Sequence, residues 1–307
     1  MEYGDLKIIA AIDWVEFEVS LVNASNHQTL SRALRSFQVA EKVWVEPVEP
    51  TSKNKTSRKF RFRLHDPKSC ADSQIILTKL GSRFEFSDEP EITAVEVAVD
   101  FFSPSHDAER LVEATISLYT YHANLVSENR RASGREATTG QAKGILVRKD
   151  LLNAVHSELS LNIGNVSDAV HQRIYLKKKN KQLHLPIAEH RARVEVTLQH
   201  ENLPFTTIEQ WSKFQFSSLA NYFKWRKDSV LTPLQQCLRS VQANVGTVEI
   251  AQFERLARRT TLSSTVADGR LNDRVYDALR SLTTKQRKPV KLQKNRVKAH
   301  VPLLLSA

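Results

Sequence analysis

The chain has 307 residues, ordinary hydrophobic (41%) and charged (26%) contents, a formal net charge of +11 and a pI near 9.6. That length supports one large or two medium domains with a sizeable core, and the positive excess favours a polyanionic partner, nucleic acid ahead of an anionic membrane surface. Cys70 and Cys237 are too far apart and too few for a disulfide framework or a zinc finger and point to a reducing cytoplasm, and no stretch approaches the roughly 20 apolar residues of a membrane span.

The first two hundred residues read as strands with helices interposed. "KIIAAIDWVEFEVSLV" (7–22), "KVWVEPV" (42–48), "KFRFRL" (59–64), "QIILTKL" (74–80) and "RFEFS" (83–87) are β-branched or aromatic runs, several with period two, and predict strands. "NHQTLSRALRSFQ" (26–38) and "DAERLVEATISLYTYHANL" (107–125) have helical apolar spacing, the second opening on Ser105 or Asp107 as N-cap. "EPTSKNKTSRK" (49–59) and "SENRRASGREATTGQAKG" (127–144) read as basic loops.

Pro204 interrupts this texture and sets a boundary near residue 203, which gives an α+β domain over 1–203. Residues 206–227, 230–245, 248–259 and 270–283 then read as helices, forming a helical region (204–284) that binds DNA or packs on the first domain. The stretch "KQRKPVKLQKNRVKAH" has seven Lys or Arg and no acid, so 285–307 is expected to be a flexible basic tail.

Three strand candidates share one design. In "AVEVAVDFF" (94–102), Val95, Val97 and Val99 alternate with Glu96, Ala98 and Asp100, so both carboxylates share a face, roughly 7 Å apart on this reading. In "QRIYLKK", Arg173, Tyr175 and Lys177 share a face opposite Ile174 and Leu176. In "HRARVEVTL" (190–198), Arg191, Arg193, Glu195 and Thr197 are backed by Ala192, Val194, Val196 and Leu198. Placed in one sheet, these strands make a single polar surface of acids, cations and one tyrosine. Carboxylates suit a hard divalent ion such as Mg²⁺ or Mn²⁺, arginine and lysine clamp a phosphodiester, and a tyrosine among cations becomes a usable nucleophile. A solvated sheet face with cross-strand ion pairs is the plain alternative.

The segments "EITAVEVAVDFF", "LSLNIGNVSDAVHQRIYLKKKN" and "HRARVEVTLQ", in that order over 91–200, resemble the rolling-circle replication initiators of the plasmid Rep-trans type and their relaxase relatives; "AIDWVEFEV" is similar to the family's first strand. The resemblance implies a mostly antiparallel sheet with helices on one face, followed by a helical C-terminal region. It implies Tyr175 as nucleophile with Arg173 and Lys177 beside it, and Glu96, Asp100 and Glu195 as metal ligands. Asn162, Ile163 and Gly164 resemble the start of the tyrosine segment. The chain departs from the pattern at Ala94, Glu96, Asn165 and Leu176, and "QLHLPIAEH" lacks the His-hydrophobe-His pair of the better-known nickases.

The expected activity is a metal-dependent nicking and closing of DNA: tyrosine attack, a 5′-phosphotyrosyl intermediate and a free 3′-hydroxyl primer. Arg191, Arg193, Lys178, Lys179, Arg270 and Arg274 are the expected DNA contacts. The expected partners are double-stranded origin DNA, the nicked single strand, a host helicase and a DNA polymerase, with no membrane; a homodimer is left open. A conjugative relaxase with the same chemistry and a non-catalytic DNA-binding protein are the alternatives. Among rival tyrosines, Tyr119 and Tyr121 are expected to pack, Tyr222 belongs to an aromatic group with Trp211, Phe214, Phe216, Phe223 and Trp225 that reads as core, and Tyr276 lies on an amphipathic helix with Arg270, Arg274 and Arg280.

Overall fold

The computed structural model describes residues 6–37, 43–49, 56–121, 130–133, 160–180, 183–223 and 271–287. The elements in chain order are β1 (Lys7–Asn26), α1 (His27–Ser36), β2 (Trp44–Pro47), β3 (Thr56–His65), α2 (Cys70–Phe84), β4 (Glu91–Phe102), α3 (Ala108–Tyr121), β5 (Arg130–Ser133), β6 (Ser160–Ile163), β7 (Val170–Lys177), β8 (Lys179–Asn180), β9 (Leu183–His184), β10 (Arg191–Gln199) and α4 (Ile208–Lys213). A last helix, α5, spans 271–287. Eight strands form one antiparallel sheet in the order β2-β3-β1-β4-β10-β7-β6-β5, and β8 pairs with β9 in a separate two-stranded ribbon. The fold is α+β with helices against the apolar face of the sheet, as expected.

That face is built by alternation. Phe60, Phe62 and Leu64 of β3, Val95, Val97 and Val99 of β4, Ile174 and Leu176 of β7, and Val194 and Val196 of β10 are buried in one core with Leu30 and Leu34 of α1, Ile76, Leu77 and Leu80 of α2, and Leu111 and Leu118 of α3. At roughly 1.5–3 kcal/mol for each large apolar side chain removed from water, this burial fixes which side of every strand faces out. The core also takes in Phe205, Trp211, Phe216, Phe223 and, from α5, Leu271, Val275 and Leu279. The Phe205 ring stacks on Trp211 at 5.7 Å and meets Phe214 edge-on at 5.2 Å, so these aromatics are core rather than a base platform.

Two stretches differ from their sequence expectation. The runs 74–80 and 83–87 are not a pair of strands: Cys70–Phe84 is a helix, capped by Ser69, whose side chain accepts the Asp72 amide at 3.1 Å. Cys70, Ser73, Ile76, Leu77 and Leu80 are the buried positions, a helical spacing that the β-branched isoleucines mask. The helix expected over 206–227 is broken into α4 and a 3₁₀ segment, Phe216–Phe223. Within the loop expected at 127–144, residues 130–133 form β5. α3 is capped by Asp107, which accepts the Glu109 amide at 2.9 Å. The helices expected at 230–245 and 248–259 lie outside the described residues, as do Cys237, Trp225 and all of the basic tail beyond 287, whose first residues finish α5. Among the described residues no helix is long and apolar enough to cross a membrane.

Candidate active site

The three strands of the shared design are neighbours. β10 lies between β4 and β7, with Arg193 opposite both Asp100 and Tyr175, Glu195 opposite Ala98 and Arg173, and Thr197 opposite Glu96 and His171. The polar sides of all three therefore fall on the face away from the helices. Leu176, out of place in the family pattern, is on the other side, buried opposite Ala192 in the core. At the head of β7, Gly164 turns the chain at φ +82°, and a Cβ there would come within 2.9 Å of the Val170 carbonyl oxygen. Asp168 closes the same turn by accepting the Asn165 amide at 2.7 Å, which gives Asn165 a backbone role at the family's departure.

Glu195 is the hub. Its Oε1 accepts the Tyr175 hydroxyl at 2.6 Å and Nη1 of Arg193 at 3.2 Å, and its Oε2 accepts Nε of Arg173 at 2.6 Å. Burial resists its ionisation, but Arg173 and Arg193 outweigh that and hold the carboxyl below the usual range. Tyr175 is pushed the other way. Burial and then the charge of Glu195 raise its hydroxyl above the ordinary tyrosine range, so it sits protonated with its proton aimed at Glu195. Burial and the nearby Arg193 lower Lys177.

Glu96 is the exception on this face. Thr197 donates to its Oε2 at 2.8 Å, but its Oε1 is buried with no hydrogen-bond partner, 3.8 Å from Nη2 of Arg173. Burial first, and then Glu195, push its carboxyl up to about 8. One oxygen each from Asp13, Glu96 and Glu195 lies within 4.8 Å of the others. An unpartnered buried oxygen in a group of hard donors fits a divalent cation.

Asp13 was not among the expected residues. β1 pairs Ile12 with Val97 and Trp14 with Glu96, leaving Asp13 as an extra residue in the ladder. Such a bulge shifts the alternation by one, so Asp13 joins the polar face just before Trp14, Glu16 and Glu18 take it over. The signal lies in "AIDWVEFEV": acids at 13, 16 and 18 fit no single period of two.

Asp100, expected as a ligand, stands apart from this group. Four residues of strand put it about 13 Å along β4 from Glu96, not 7 Å, because alternation returns to one face every second residue. Its carboxylate is held by Arg193 at 2.5 and 2.7 Å and by Arg191 at 3.1 Å. Arg193 is buried and also reaches Asp13 at 3.0 Å, so it ties Asp100, Asp13 and Glu195 together. Arg191 also donates to the Glu189 carbonyl at 2.7 Å. Lys178 and Lys179 continue from β7 into the ribbon, away from the acid group. Arg274 donates to the Leu6 carbonyl and so joins α5 to the start of β1; Arg270 lies outside the described residues.

No family model matches the chain, and no curated protein matches it. Among solved structures it is similar to one described as a rolling circle replication initiator protein from Geobacillus stearothermophilus. The two share 11% identity at a TM-score of 0.32, over 64% of this chain and 76% of that one.

Proposed function

We propose that this chain is a DNA strand transferase that nicks and recloses one strand through Tyr175, in the manner of an initiator of rolling-circle replication. The observation that carries the reading is the Tyr175 hydroxyl at 2.6 Å from Glu195, at the edge of the acidic group formed with Glu96 and Asp13. The motif resemblance over 91–200 and the basic charge of the chain support it.

In this reading Asp13, Glu96 and Glu195 hold the cation, which when bound supplies Lewis-acid polarisation of a phosphoryl oxygen. The Tyr175 oxygen attacks the phosphorus of a phosphodiester, and its proton passes to Oε1 of Glu195. The bond from phosphorus to the 3′ oxygen breaks, and that oxygen leaves with a proton from solvent. The 5′ phosphate stays esterified to Tyr175, so the phosphoester is retained and the reverse reaction reseals the strand. Arg173 and Lys177 stand on the same strand face and balance charge that builds on the phosphoryl oxygens. Arg193 and Asp100 act as positioning residues. The released 3′-hydroxyl is a primer for a DNA polymerase, with a helicase as its companion.

The test is covalent capture. Incubated with Mn²⁺ and negatively supercoiled plasmid carrying the DNA that flanks the gene for this chain, the wild type forms an adduct on the 5′ phosphate that survives denaturation and maps to Tyr175. Tyr175→Phe is expected to lose it by about 10³-fold or more while keeping noncovalent DNA binding. Adduct formation undiminished in Tyr175→Phe, or no adduct with the wild type, defeats the proposal.

A further inference from the structure

Between the tyrosine strand and the hub strand the chain leaves the sheet. β7 ends at Lys177, β8 and β9 pair with each other and, among the described residues, with no strand of the large sheet, and β10 begins at Arg191. The pairs are Lys179 with His184 and Asn180 with Leu183, extended by the Leu185 amide bonding the Lys178 carbonyl at 2.8 Å. Strand alternation therefore puts Lys178, Leu183 and Leu185 on one side of the ribbon and Lys179 and His184 on the other.

The ribbon and the 3₁₀ turn that follows it, Ile187–Glu189, carry apolar side chains where water should favour polar ones. Leu183 is 75% exposed and Ile187 64%, with Pro186 exposed between them. On the polar side of β7 and β10 themselves the outward side chains of Arg173, Arg191, Arg193 and Glu195 are in ion pairs, so the two exposed apolar side chains stand out beside the tyrosine strand. Its flanks are cationic: "KKKNKQLHLPIAEH", 177–190, has four lysines and one acid. Only three residues, about 10 Å of strand, separate Tyr175 from its base. A two-stranded ribbon of this width fits a DNA groove, and leucine, isoleucine and proline are the side chains that wedge between base steps.

We propose that the β8–β9 ribbon is a DNA-opening wedge, with Lys178 and Lys179 against backbone phosphates and Leu183 and Ile187 against bases unstacked beside the strand to be cut. This rests on the nicking function proposed above and adds the device by which a duplex phosphate becomes accessible to Tyr175. The charge of the ribbon assigns it to DNA rather than to a second copy of this chain, whose net charge of +11 would repel it.

The experiment uses the full chain carrying Tyr175→Phe, so covalent capture plays no part. It is titrated against a duplex with a central unpaired bubble and against the fully paired duplex, each with 2-aminopurine at the junction. The bubble is expected to bind about tenfold more tightly, with a rise in 2-aminopurine fluorescence, consistent with one or two base contacts. Leu183→Ser combined with Ile187→Ser is expected to remove the preference and the rise without lowering Tm, because both side chains are exposed; Leu183→Phe keeps both. A double variant that retains preference and fluorescence rise overturns the wedge even where Tyr175 is proven the nucleophile. So does a double variant whose only change is the loss of a dimer in sedimentation. Conversely, a working wedge with no tyrosine adduct in the wild type overturns the chemistry and leaves the DNA-opening ribbon standing.

Discussion

The polar face of the sheet holds two sets of charges made from the same residue types, and they are wired differently. On the β1–β3 side, Glu18 is bonded by Lys59 at 2.6 Å and Arg61 at 2.8 Å, and Glu16 by Arg63 at 2.8 Å and Thr93 at 2.9 Å. The Arg63 guanidinium also lies between the Trp14 and Trp44 rings, at 4.2 and 4.6 Å. All four carboxylate oxygens of Glu16 and Glu18 have a partner. On the β4–β10–β7 side, Glu195 is saturated but Glu96 keeps a buried oxygen without one. The two sides push a glutamate in opposite directions. Burial opposes the ionisation of Glu18, but Lys59 and Arg61 overcome it and lower the carboxyl, whereas burial and Glu195 raise Glu96 to about 8. An ion-paired sheet face is thus closed on one side and open to a further cation on the other.

That contrast can be broken in several ways, the largest first. Glu195→Ala leaves Arg173 and Arg193 facing each other across a buried hub, and should cost about 3–5 kcal/mol in urea unfolding. Equal losses from Glu195→Ala and Glu18→Ala would erase the distinction. Saturating Mn²⁺ or Mg²⁺, at about a hundred times its Kd, should stabilise the wild type by about 2.7 kcal/mol in thermal unfolding; Glu96→Gln should abolish the effect and Glu18→Gln should not. Without divalent cations, pH separates the two glutamates. The folded Glu96 binds its proton more tightly than the unfolded chain, where a glutamate has its ordinary pKa of 4.5, so stability should fall as pH rises from about 4.5 to 8, by at most about 1.4 kcal/mol per pH unit. Glu96→Gln should flatten that decline. Glu18 has the reverse sign: its contribution is present above its unfolded value and is lost on acidification. The smallest effect is expected from Glu18→Ala, about 1 kcal/mol, since its cationic partners are 42% and 44% exposed, with no change in the covalent adduct.

Much of the candidate site was legible because strand alternation is a strong rule in a sheet with one apolar side. It placed Glu96, Arg173, Tyr175, Lys177, Arg193 and Glu195 on one face, and the core confirms that side for each. Alternation says which side but not how far, which is why Asp100 was grouped with an acid it cannot reach. Nor does it announce where it changes phase, so Asp13 stayed hidden in a run read as one regular strand. α2 was missed for a different reason: Ile75, Ile76, Leu77 and Leu80 satisfy a strand by composition, and only the Ser69–Asp72 cap and the buried spacing mark a helix. The pairing of Arg191 and Arg193 with Asp100 is set by neighbouring strands in the sheet, and no single segment of sequence carries it.

The extra residue in β1 has a consequence for how the acidic group is dissected. Ile12 and Trp14 already face consecutive residues of β4, so the β1–β4 ladder closes without residue 13, whose carbonyl accepts the Asp66 amide on the β3 side. Removing Asp13 outright would leave Phe17 inside and the glutamates of β1 outside, and would take away one carboxylate and one bend. The third acid is thus a graft on a β1–β4 ladder that is complete without it, and the excised chain separates what that ladder needs from what the chemistry needs.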